Sequence, residues 1–208
     1  MRIAPEGRWF IVIAWIIAAA LALSGHWIIF LIWLPIAIWV VAFFRDPVRP
    51  GPWDPNHLIA PADGLVVSVA EVNEPDFMQG PATRVSIFMN VFDCHVNRYP
   101  TDGVVAYRHY NPGRFGHAGS EKASLDNEQS SVGLETPHGR VLIRQIAGLV
   151  ARRIVTDHAV GTTVHQGERL GMIRFGSRVD LFVPVGTEIR VAVDQRTRVG
   201  VTTIGAWA

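Results

Sequence analysis

A glycine followed by a serine inside an apolar run can do chemistry on its own backbone. The stretch MIRFGSRVDLFVP, residues 172–184, holds Gly176-Ser177 in that setting. A serine hydroxyl can attack the carbonyl before it when the backbone is strained and the oxyanion is stabilised. Glycine, without a Cβ, tolerates the dihedrals such an attack needs. The attack turns the Gly176–Ser177 amide into an ester. A base that takes the Ser177 α-proton then drives β-elimination and releases the upstream chain. The dehydroalanine left behind tautomerises and hydrolyses to a pyruvoyl group, whose ketone can form a Schiff base with an amine and act as an electron sink. The reaction needs an acid or base near Ser177. Two stretches offer candidates: PADG, residues 61–64, with Asp63, and DCHVNRYP, residues 93–100, with His95. Both have plainer readings. Asp-Gly after proline is ordinary turn chemistry, and clustered polar residues at a strand end can be a solvated loop. From residue types and spacing alone, self-cleavage is one reading among several.

Other chemistries have less to stand on. The chain carries no GxGxxG, P-loop, CxxC or HExxH, and its eight histidines show no metal-ligand spacing, so no metal site is expected. A net charge of +1 gives no case for nucleic acid, and a single cysteine, Cys94, excludes an internal disulfide framework.

The elements that must position these residues fall into two parts. From Trp9 to Phe44 there is no Asp, Glu, Lys or Arg. Ser24-Gly25-His26 breaks this run into two apolar arms, each slightly short of the ~20 residues that cross a bilayer upright. Arginines flank the run on both sides, at 2 and 8 and at 45 and 49, which favours a hairpin with both ends on the cytoplasmic side. A buried core hairpin is the plainer alternative. Prolines at 47, 50, 52, 55 and 61 then exclude helix or sheet interior and read as an extended linker. The remainder reads as short strands: GLVVSVAEV, TRVSIFMNV with Val85, Ile87, Met89 and Val91 on one face, GRVLIRQIAGLVARRI, SRVDLFVPV, and TEIRVAVDQ with Ile189, Val191 and Val193 on one face. The stretch GSEKASLDNEQS reads as a polar surface loop or short helix. The expected fold is mainly β, a sandwich- or barrel-like catalytic domain with few short helices at 50–208, preceded by an apolar α-helical hairpin and linker at 1–49.

Four stretches in order, APADG, FMNVFDCHVNRYP, GRFGHAGSEKASLDNEQ and RFGSRVDLFVP, resemble the motifs of the phosphatidylserine decarboxylase family in its short prokaryotic form. The resemblance spans roughly Ala60 to Pro184. It implies a self-cleaving proenzyme, with a membrane-attached β chain (1–176), an α chain (177–208) headed by a pyruvoyl group from Ser177, and decarboxylation of phosphatidylserine to phosphatidylethanolamine. Carried over by position, Ser177 is nucleophile and pyruvoyl precursor, and Asp63 matches the self-processing aspartate. His95 matches the first histidine of an HxxH element, the one assigned to decarboxylation. HVNR departs at the second, where Arg98 cannot act as a base. His95 then serves both steps with Asp63 orienting it, or Arg98, with Asn97, holds the substrate phosphate or carboxylate. The family's LGST is here FGSR. Expected partners are a phospholipid substrate, the inner membrane with the domain on its cytoplasmic side, and the two chains of one precursor; a homo-oligomer stays open. Arg45, Arg49, Arg114 and Lys122 are cations that could meet anionic headgroups. Rival readings are a decarboxylase of a related, archaeal-type ether aminophospholipid and a non-catalytic membrane-tethered β-sandwich carrier or binding module.

Overall fold

A computed structural model describes residues 2–113, 127–148, 153–174 and 177–207. It divides into two compact units, Met1–Val48 and Arg49–Ala208.

In the first unit, β1 (Arg2–Ile3) leads through a single 3-10 turn into α1 (Arg8–Leu23), and α2 (Trp27–Phe43) returns to β2 (Arg45–Asp46). β1 and β2 pair antiparallel, Arg2 against Asp46 and Ile3 against Arg45, so the two ends of the hairpin meet. Buried Ala14, Ala18 and Ala37 are small enough to let helices approach closely. Across the pair, the Trp33 indole donates to the Ala14 carbonyl at 2.9 Å. Ile16, Ile28, Leu31 and Ile32 are exposed. Pro5–Leu23 is long and apolar enough to cross a membrane, and Trp27–Phe43 is shorter. A helix apolar all round, with its large side chains outward, fits a lipid environment better than water.

The second unit is almost wholly β. Its strands are β3 (His57–Ile59), β4 (Gly64–Glu74), β5 (Gly80–Met89), β6 (Val96–Arg98), β7 (Gly103–Asn111), β8 (Gln129–Thr136), β9 (Gly139–Ala147), β10 (Ile154–Thr156), β11 (Thr163–Val164), β12 (Arg169–Ile173), β13 (Ser177–Pro184), β14 (Glu188–Ile189), β15 (Arg196–Thr197) and β16 (Thr203–Ala206). Eight form one antiparallel sheet in the order β11-β7-β8-β9-β13-β5-β4-β15. Two three-stranded sheets, β10-β12-β6 and β14-β16-β3, complete the unit.

The period of two decides which side chains meet. On β13, Val179, Leu181 and Val183 join the main core, on the face that Ser177 shares; that core also takes Val85, Ile87 and Met89 from β5 and Val141, Ile143 and Ala147 from β9. Leu58, Leu170, Ile173 and Ile204 of the small sheets complete that core. Each such aliphatic side chain contributes about 1.5–3 kcal/mol by leaving water. The opposite face of the large sheet carries a smaller cluster, Phe77, Ala82, Leu142 and Phe182. β13 is therefore buried on both faces, with β9 and β5 on its flanks.

The mainly β unit with its apolar helical segment matches the sequence reading of fold class. Individual elements differ. TEIRVAVDQ is not one strand: only Glu188–Ile189 pairs, with Ala206 and Gly205. The chain then turns back, with Asp194 in the left-handed region at φ 69° and Val193 exposed. Val91 lies beyond the end of β5 and is exposed, unlike Val85, Ile87 and Met89. β7 was not anticipated. Neither was β8, whose first residues, Gln129 and Ser130, close the stretch read as a polar loop. Its small polar side chains are buried because they find partners: Ser130 Oγ lies 2.8 Å from Thr156 Oγ1, and Ser131 Oγ accepts from Arg144 Nε at 3.1 Å.

Candidate active site

Ser177 opens β13, directly opposite Met89 at the end of β5 and Ala147 at the end of β9. Its side chain is on the main-core face and fully buried. Among the described residues its Oγ makes no hydrogen bond. A buried hydroxyl left so costs about 1–3 kcal/mol. Such exceptions in a well-formed core call for an explanation, and a reactive role is one. Gly176, whose carbonyl the Ser177 hydroxyl would attack, lies outside the described residues, as do Arg114, Lys122 and most of GRFGHAGSEKASLDNEQ.

His95 follows a tight turn after β5. Asp93 N donates to the Asn90 carbonyl, Asn90 N donates to Asp93 Oδ2, and Phe92 N donates to Asn90 Oδ1. An ion pair from Arg196 on β15 reaches Asp93 Oδ1 and pins the turn to the C-terminal segment. Fully buried His95 places Nδ1 3.0 Å from the Asp93 carbonyl oxygen. A carbonyl only accepts, so Nδ1 carries a proton and Nε2 is the nitrogen placed to exchange one. The His95 carbonyl in turn accepts from Ile173 N, four residues before Ser177.

Asp63 sits in the turn between β3 and β4 and is buried. Its carboxylate takes both arms of the Arg49 guanidinium, Nη2 to Oδ2 at 2.8 Å and Nη1 to Oδ1. It also accepts from the backbone N–H of Val199 at 2.7 Å and of Cys94 at 3.4 Å. Asp63 thus touches the residue that precedes His95, and both belong to one polar turn region.

Asn97 and Arg98 separate. Successive strand residues point to opposite faces. Asn97, fully buried, accepts from Gln145 Nε2 at 2.8 Å and points its amide at Met89 Sδ, 3.7 Å away. Gln145 Oε1 accepts from Thr156 Oγ1 at 3.1 Å, so a polar chain runs from Ser130 through Thr156, Gln145 and Asn97 to the residue facing Ser177. Arg98 instead donates to the Gly167 carbonyl at 2.9 Å. Beside it, burial pushes the Tyr99 phenol well up from its ordinary value, so it stays a neutral hydroxyl, 3.2 Å from His158 Nδ1.

Opposite the Ser177 face, Arg178 and Asp180 form a buried ion pair: Arg178 Nη2 donates to Asp180 Oδ2 at 2.9 Å, and Nε lies 2.9 Å from Oδ1. A cavity of about 380 Å³ is lined by residues that include Glu74, Arg84, Arg144 and Phe182, and not by Ser177, His95 or Asp63.

Against this geometry, the phosphatidylserine decarboxylase family model matches residues 36–205. The chain belongs to the phosphatidylserine decarboxylase family. It is 46% identical to the phosphatidylserine decarboxylase proenzyme of Symbiobacterium thermophilum, covering 98% of this chain and 94% of the relative. The proenzymes of Magnetococcus marinus and Carboxydothermus hydrogenoformans are 45% and 42% identical, covering 98% and 96% of this chain and 94% of each relative. Membership in the phosphatidylserine decarboxylase family makes this chain a carboxy-lyase of phospholipid biosynthesis, made as a zymogen. Sequence reasoning missed Arg49 and Arg196 as partners of the two aspartates. Arg49 was visible only as one cation beside an apolar run, and neither arginine is near its aspartate in the chain.

Proposed function

We propose that the chain cuts itself between Gly176 and Ser177 and then decarboxylates phosphatidylserine to phosphatidylethanolamine and CO2. The observation that carries this reading is the buried Ser177 hydroxyl without a hydrogen bond among the described residues, at the first residue of the central strand. Ser177 Oγ attacks the Gly176 carbonyl carbon, the C–N bond breaks, and an ester and a free Ser177 amine form. Removal of the Ser177 α-proton expels the Gly176 carboxylate. The dehydroalanine tautomerises, and water replaces nitrogen, which leaves as ammonia. The α chain then begins with a pyruvoyl group and runs to residue 208.

The residues around Ser177 fit that group. The flanks at Met89 and Ala147 hold the new chain end in the sheet without a charged side chain. The pyruvoyl ketone supplies an electron sink for a substrate amine as CO2 leaves. His95 takes and returns protons through Nε2, and its hydrogen bond to the Asp93 carbonyl fixes the ring. Asp63 acts in self-processing. Arg98 is the candidate for the substrate phosphate or carboxylate, while the buried Asn97 amide supports Met89 opposite Ser177. The apolar hairpin keeps the enzyme at the bilayer that holds its substrate, since exposing acyl chain costs about 0.8 kcal/mol per CH2. Its joined ends support a hairpin with both flanks on one side of the bilayer, which in this reading is the cytoplasmic side.

The test is reductive trapping. Incubation with phosphatidylserine and cyanoborohydride should attach the lipid amine to the fragment beginning at residue 177 and abolish turnover. Turnover lost with the label elsewhere, or no label, would remove Ser177 from the chemistry.

A further inference from the structure

Asp63 is the most heavily bonded carboxylate near the site, and three separate stretches of chain converge on it. Oδ1 accepts from Val199 N at 2.7 Å and from Arg49 Nη1. Oδ2 accepts from Arg49 Nη2 at 2.8 Å and, at a longer 3.4 Å, from Cys94 N. The same Arg49 Nη1 also donates to the Val199 carbonyl at 3.2 Å. Arg49 and Asp63 together therefore satisfy both backbone groups of residue 199 and close a ring of three residues. Both side chains are about nine-tenths buried, at 12% and 11% exposure.

A carboxylate offers about four acceptor sites. Three are taken at good distance, and the long contact to Cys94 N leaves capacity on Oδ2, the oxygen facing the residue before His95. A planar guanidinium fork fixes both oxygens at once, which an ammonium, a single point charge, does not. Resting on the function proposed above, we infer that Arg49 is the positioning residue for self-cleavage: it sets the plane of the Asp63 carboxylate so that Oδ2 faces the His95 turn. Arg49 acts through Asp63, both of whose carboxylate oxygens it holds. Val199 lies in the segment that becomes the α chain, so the ring also ties Asp63 to the chain that will carry the new end group.

The experiment follows cleavage of full-length precursor made by cell-free synthesis in the presence of vesicles of phosphatidylcholine, with a labelling pulse and a time course on denaturing gels. Arg49→Lys and Arg49→Gln are compared with wild type, with Leu134→Ala as a core-destabilised control and Ser177→Ala as an uncut reference. Melting temperatures of all variants are measured in an added Ser177→Ala background, where none is cut. Arg49→Lys should restore the melting temperature lost in Arg49→Gln yet cleave about 100-fold more slowly than wild type, the loss expected from a misplacement of about 1 Å. Cleavage at least tenfold slower than that of a control of equal stability supports the inference as well. Wild-type cleavage in both Arg49 variants overturns it, and so does cleavage that only follows the melting temperature. In either case an uncut Ser177→Ala precursor leaves the parent reading standing. Cleavage of Ser177→Ala would instead overturn the parent reading itself.

Discussion

The two faces of β13 treat polar groups in opposite ways. On the core face, Ser177 holds a buried hydroxyl that makes no hydrogen bond among the described residues. One residue on, the other face buries Arg178 against Asp180 as an ion pair with one hydrogen-bonded arm. The second arrangement follows the general rule for interiors, where buried charges are paired. The first breaks it, and local departures from such rules concentrate at working sites. The same strand is thus anchored on one side and kept reactive on the other.

The largest test of that contrast removes the hydroxyl. Ser177→Ala should abolish cleavage altogether on denaturing gels and leave the melting temperature unchanged or raised, because a buried group without a partner is lost. A marked fall in melting temperature would mean that the hydroxyl is structurally engaged. In that uncut background, where unfolding is unimolecular, Asp180→Leu should cost about 3–5 kcal/mol in urea denaturation by breaking the buried ion pair with Arg178. Adding Arg178→Met should recover most of the loss. If the double variant stays as unstable as the single one, the pair is more than an anchor. Thr156→Val, which strips a donor from Gln145 Oε1, should cost about 1–3 kcal/mol in the same assay.

The smallest effect belongs to the surface. The hydrogen bond from Arg190 holds the Glu188 carboxyl below its ordinary value of 4.5. A lowered carboxyl can add stability only above its unfolded value and loses it as pH falls through the folded one. Both side chains are solvent-exposed, so screening leaves little. Glu188→Gln should not shift the melting temperature measurably at pH 7 or pH 3, and a clear loss at pH 7 alone would show that the pair matters.

Legibility in the sequence divides along similar lines. The core face of β5 and β13 could be read because Val85, Ile87 and Met89, and Val179, Leu181 and Val183, alternate without interruption. β8 could not: Gln129, Ser130 and Ser131 look like a loop until Thr156 and Arg144 are brought beside them by the fold. TEIRVAVDQ alternates well but lies on a rim, where the pairing partner runs out after two residues. Ser177, His95 and Asp63 stood out through short motifs. Their supports did not, because the Arg49–Asp63–Val199 ring and the Arg196–Asp93 pair join distant stretches of chain. No local pattern encodes such a pairing.

Intact mass of the purified, active protein tests the central claim most directly. Two chains are expected, ending at Gly176 and beginning at residue 177. The smaller should be lighter by one ammonia than a peptide with a free N-terminal serine, and blocked to Edman degradation. A single uncut chain in material that turns over phosphatidylserine would contradict the account.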